Sequence, residues 1–145
     1  MEIASNFSET LSELMLIHNL TATKLAREIN VDCTSFTKYF RKGVIPTLPY
    51  AVAIADYFCC SLDYLFGLAN EYEKKEYLPC PPFFEKFQEA LKIHNCTMYR
   101  LAKDLNFSYQ IIIAWYHGRR IPAMGNIIIL ADYFGCTLDE FVGRK

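Results

Sequence analysis

The segment HNLTATKLAREIN at positions 18 to 30 returns as HNCTMYRLAKDLN at positions 94 to 106, an offset of 94 − 18 = 76 residues. Matches at that offset run far beyond the quoted segment, as an internal duplication requires. Phe7 meets Phe83, Glu9 and Glu13 meet Glu85 and Glu89, and Ile45 and Pro46 meet Ile121 and Pro122. The run Ala55, Asp56, Tyr57, Phe58 meets Ala131, Asp132, Tyr133, Phe134, and Cys60, Leu62, Asp63 and Gly67 meet Cys136, Leu138, Asp139 and Gly143. About twenty of some sixty aligned positions are identical. The chain therefore reads as two copies of one unit, residues 1–70 and 83–145, joined by EYEKKEYLPCPP at 71–82.

This division limits what each copy can be. Units of roughly 65 to 70 residues lie near the lower limit for a self-sufficient core, so each has to be compact and rich in apolar residues. The 52% hydrophobic and 15% aromatic content of the chain supplies them. No apolar run approaches the roughly 18 residues of a membrane span, and MEIASNFSETL lacks the basic-then-apolar pattern of a secretory signal, so a cytoplasmic protein is expected. The six cysteines show no C-x-x-C spacing, and Cys60 and Cys136 share one place in the repeat; all six read as small hydrophobes, with no metal or cofactor implied. His18 and His94, each closing an apolar stripe, read as packed or surface residues and not as ligands.

Apolar periodicity predicts five short helices per copy. Phe7, Leu11, Leu14, Met15 and His18 form one helical stripe, repeated by Phe83, Phe87, Ala90, Leu91 and His94. Thr21 and Thr97 are N-cap candidates for a second helix with Leu25, Ala26 and Ile29, or Leu101, Ala102 and Leu105, inside. Asn30 and Asn106 suit the left-handed turn that follows, and Asp32 and Ser108 are the expected caps of a third helix. Its inward pair is Phe36 with Tyr39, or Ile112 with Trp115. Gly43 and Gly118 then differ by one place in the alignment, a shift closed at Pro46 and Pro122. A fourth helix runs to Phe58 or Phe134, and a fifth starts at Ser61 or Thr137, where Thr137 and Glu140 have capping-box spacing. Three prolines stop helix in the second half of 71–82, which is expected to act as a linker reaching about 40 Å when extended.

A Thr cap, x-x-x-Leu-Ala, a turn, a short helix, a Gly-to-Pro loop, an Ala-Asp-Tyr-Phe helix and a final Leu-Asp helix together resemble the lambda-repressor/Cro-type helix-turn-helix domain, twice over. The resemblance implies an all-α fold of two tandem five-helix domains, with the third helix of each entering the major groove of DNA. It also implies site residues. The base-facing set is Cys33, Thr34, Thr37 and Lys38 in the first copy and Tyr109, Gln110, Ile113 and Ala114 in the second. The phosphate-contact set is Thr21, Thr23, Arg41, Lys42, Arg119 and Arg120. The glutamine that the family often places after the Thr cap is replaced here by Ala22 and Met98.

Charge placement bears on that expectation independently. The net charge is −1, which gives no general push toward polyanions. Yet no acid occurs from Cys33 to Ala55, a stretch holding Lys38, Arg41 and Lys42, or from Leu105 to Ala131, which holds His117, Arg119 and Arg120. A helix and loop cleared of carboxylates in both copies suit a phosphate backbone. In the second copy three successive isoleucines cannot share one buried face, so Ile113 is expected to project toward solvent or a partner. Two functions follow. One is a sequence-specific transcriptional regulator whose copies act as a covalent pseudo-dimer on half-sites about 34 Å apart. The other is an interaction module whose second copy binds itself or another protein. No phosphate loop, H-E-x-x-H or nucleophile elbow points to an enzyme, and Asp56 and Asp132 read as outward residues.

Overall fold

The computed structural model describes residues 2–72 and 75–145 and is all-α: among the described residues there is no strand. It separates into two compact units, Met1–Tyr77 and Leu78–Lys145. The first holds α1 (Glu2–Ile17), α2 (Ala22–Glu28), α3 (Cys33–Arg41), α4 (Leu48–Phe58) and α5 (Leu62–Leu65). The second holds α6 (Phe83–Ile93), α7 (Met98–Leu105), α8 (Tyr109–Tyr116), α9 (Met124–Phe134) and α10 (Leu138–Val142). None of these helices is long and apolar enough to cross a membrane.

Local chemistry sets most boundaries. Thr21 and Thr97 accept hydrogen bonds from the amides of Lys24 and Arg100, satisfying donors that have no partner inside the helix. Asn30 and Asn106 take φ of 59° and 57°, the left-handed conformation that turns the chain after α2 and α7. Thr137 and Glu140 close a full capping box on α10. Ser108 departs from expectation: it occupies the N-cap position of α8 but makes no side-chain cap bond, whereas Asp32 accepts from the Thr34 amide at 3.1 Å.

The one-place offset between Gly43 and Gly118 has a simple origin. α3 has 9 residues and α8 has 8, so the left-handed glycine after the helix arrives one position later in the first unit. At Gly118 the turn closes with the Arg119 amide donating to Ala114 and the Gly118 amide to Trp115. α1 also exceeds α6, with 16 residues against 11. Pro81 and Pro82 account for this, because a residue preceding proline is pushed out of the helical region and α6 can begin only after them.

Each core is aromatic. Phe7 stacks on Phe66 at 5.2 Å and meets Tyr39 edge-on at 5.4 Å. In the second unit Trp115 receives Phe87 and Phe107 edge-on, and Phe83 meets Phe141. His18 and His94 remain exposed but lay their rings against Phe58 and Phe134, at 5.2 and 5.0 Å. Burial takes the predicted inward residues Leu25, Ala26, Phe36, Tyr39, Leu101, Ala102, Ile112 and Trp115. Burial pushes the Tyr39 hydroxyl up to about 12, mainly by desolvation.

Residues 71–82, expected to be a linker, are tied to both units; Glu73 and Lys74 within that stretch lie outside the described residues. Tyr72 donates its hydroxyl to the Phe58 carbonyl at 2.7 Å and stacks on Tyr64, and the Lys75 amide donates to the Cys59 carbonyl. On the other side the Leu78 amide donates to the Arg144 carbonyl at 2.6 Å and Cys80 donates its thiol to the Val142 carbonyl.

Candidate nucleic-acid interface

Helical geometry, with 100° between successive residues, puts Thr34, Thr37, Lys38 and Arg41 opposite the buried pair Phe36 and Tyr39. All four are exposed, as are Lys42, Thr21 and Thr23. The Asp32 cap fixes the start of α3, and hydrogen bonds from the Thr34 backbone and side chain hold its carboxyl below the usual carboxylate range. Asp32 lies just before the acid-free run and close enough to Lys38 to feel its charge.

Cys33 opens α3 at the edge of this face. It is half-buried, with its sulfur 3.6 Å from the Thr23 hydroxyl of α2. The equivalent positions in the second unit, Tyr99 and Tyr109, also touch: their rings lie 6.4 Å apart at 64°, an edge-on pair. Tyr99 is 69% exposed and Tyr109 42%. One contact between the second and third helices is thus made twice, by a small polar pair in one unit and by an aromatic pair in the other.

On α8, Gln110 is exposed as expected, and Arg119 and Arg120 are exposed beyond the helix. Ile113 and Ala114 are half-buried, each keeping part of its surface open. α8 packs on both α6 and α7, so its flanks are partly shielded as well as its inner edge. From α6, Gln88 donates to the Tyr116 carbonyl at 2.8 Å and fixes the end of α8.

Sequence reasoning passed over three features of this surface. Tyr99 is one; its signal was the 76-residue offset, which aligns it with Thr23, a residue already selected. Lys24 with Arg100, and Arg27 with Lys103, are exposed cations repeated at the same offset on α2 and α7. Arg100 approaches Asp104 to 3.6 Å, and Asp104 accepts the Tyr133 hydroxyl at 2.7 Å, a bond that raises that phenol to about 12. Asp104, the carboxylate of α7, therefore has its charge engaged within the unit.

Among the described residues none of the six cysteines forms a disulfide, and no group of three or more His, Cys, Asp or Glu able to hold a metal occurs.

Residues 87–141 match the family model described as Helix-turn-helix. That span takes in most of α6, all of α7, α8 and α9, and most of α10, so α7, its Asn106 turn and α8 lie within the matched segment. No curated protein and no solved structure matches the chain.

Proposed function

We propose that the chain is a cytoplasmic, sequence-specific DNA-binding transcriptional regulator in which two helix-turn-helix units act as a covalent pseudo-dimer. The observation that carries this reading is the outward face of α3. Thr34, Thr37, Lys38 and Arg41 are exposed together on one side of a helix whose inner side is fully packed, in a run without a carboxylate. In the groove, Lys38 is positioned to donate to guanine O6 and N7, and Thr34 and Thr37 offer hydroxyls and methyl groups to base edges. Thr21, Thr23, Arg41 and Lys42 hold the backbone on the first unit, and Arg119 and Arg120 on the second, with Gln110 as the polar reader of α8. The repeat of caps, turn residues and core pairs at the 76-residue offset supports reading the first unit as a second domain of the same kind.

Because α3 and α8 differ at the outward positions, the operator of such a protein is asymmetric. The test is selection of bound sequences from a random duplex pool, repeated with Lys38→Ala and Gln110→Ala. Each variant should relax a different half of the selected motif, with a loss of about 1 to 3 kcal/mol for the specific contact. A motif altered by Lys38→Ala alone would assign the second unit to protein binding, a reading favoured by the exposed ring of Tyr99. A protein that selects no motif would end the DNA reading.

A further inference from the structure

The 76-residue offset replaces Thr34 by Gln110, Thr37 by Ile113, Lys38 by Ala114 and Arg41 by His117, so the outward face of α8 lacks both cations of α3. At the leading edge, the Thr23 and Cys33 pair becomes the Tyr99 and Tyr109 pair. The surface that α8 presents is aromatic and aliphatic around a single exposed amide.

We propose that the second unit selects thymine-containing sequence through the base methyl groups, with Tyr109 and Ile113 as the packing side chains and Gln110 beside them as the partner of adenine. This rests on the reading of α8 as a groove helix given above. The thymine C5-methyl is the apolar group on the major-groove edges, and A·T pairs also present the N6 and N7 pattern that a glutamine amide matches. Tyr99 braces the Tyr109 ring from α7 and widens the apolar surface. The first unit, with Lys38 and two threonines at the equivalent places, reads by polar contacts instead.

Charge argues for DNA over a second copy of the chain as the occupant of this face. Arg119 and Arg120 are exposed beyond α8, and no acid occurs from Leu105 to Ala131. A two-fold contact through α8 would bring this basic margin against its own copy, a like-charge arrangement that opposes association. A phosphate backbone along the same margin is attracted.

The experiment removes the methyl group from the DNA, so the wild-type measurement does not depend on any variant folding. In a duplex containing the selected motif, thymines are replaced one at a time by deoxyuridine, and binding of the full chain is followed by fluorescence anisotropy. Within the half-site relaxed by Gln110→Ala, the replacement at contacted positions should weaken binding roughly fourfold, the factor for taking one methyl group out of water. In the half-site relaxed by Lys38→Ala it should be smaller. Ile113→Ala or Tyr109→Ser, checked for helix content by circular dichroism, should make the thymine and uracil duplexes equivalent at the base each side chain covers. Tight binding with no methyl effect in the Gln110 half-site would overturn the proposal while leaving DNA binding intact. So would a methyl effect that persists in both variants. Absence of binding to any duplex at low salt would instead remove the underlying reading, and self-association abolished by Ile113→Glu would then identify α8 as a protein-binding face.

Discussion

The salt dependence of DNA binding offers a direct check on which side chains hold phosphate. Arg41 and Lys42 are exposed at the end of α3, and Arg119 and Arg120 are exposed beyond α8. If each neutralises one phosphate, counterion release gives a log–log slope of about −3.6 against salt, at about −0.9 per contact. Raising salt from about 50 to about 200 mM should then cost roughly 150-fold in affinity. Replacing Arg41 and Lys42 together by alanine should halve the slope to about −1.8 and reduce the same salt effect to roughly twelvefold. The loss should be nearly uniform across sequences, because phosphate contacts carry no base information. Gln110→Ala is the counter-case: an uncharged reader whose removal should weaken binding to adenine-bearing sites while leaving the slope unchanged. Anisotropy titrations of both variants over a salt series measure this. A slope unaltered by loss of Arg41 and Lys42, or one changed by Gln110→Ala, would refute the division between positioning and reading residues.

Three stability predictions test the local physics that orients the helices. Gly135 ends α9 at φ +69° and Gly125 lies within α9, and a Cβ on either meets nothing within 4 Å, so substitution isolates backbone conformation. Gly135→Ala should destabilise the second unit by about 1 to 2 kcal/mol and Gly125→Ala should stabilise it by up to about 1 kcal/mol, measured by denaturant titration of Trp115 fluorescence; equal signs would contradict the argument. Thr97→Ala should cost about 1 kcal/mol on the same assay through loss of the α7 cap. For Asp32, the folded pKa is lowered below 3.8, so its contribution is present above that value and is lost as pH falls through the folded value. Asp32→Asn, which keeps a capping oxygen, should remove that part of the acid sensitivity of the first unit, followed by circular dichroism between about pH 5 and pH 2.

Much of the fold was legible because the signals are local. A threonine three residues before an amide, an asparagine able to adopt positive φ, and apolar residues spaced by a helical turn act over a few positions. Thr21, Thr97, Asn30, Asn106 and the pairs Phe36 with Tyr39 and Ile112 with Trp115 accordingly sit where the periodicity placed them. Thr34, Thr37, Lys38 and Gln110 were legible as exposed residues for the same reason, being opposite a buried pair. Ile113, Ala114 and Cys33 were not, because their partial burial comes from neighbouring helices and not from their own.

By itself the sequence determined the repeat, the helix order, the caps and turns, and the segregation of acids away from α3 and α8. Only the tertiary structure decided how far each outward residue is uncovered, that Tyr99 reaches Tyr109, that Tyr72 and Lys75 bond to Phe58 and Cys59, and that Leu78 and Cys80 bond to Arg144 and Val142. The reason is range. Capping and periodicity are set by the next few residues, whereas shielding and strap contacts depend on groups brought together from distant parts of the chain, and Cys80 and Val142, 62 positions apart, meet only once the second unit has folded.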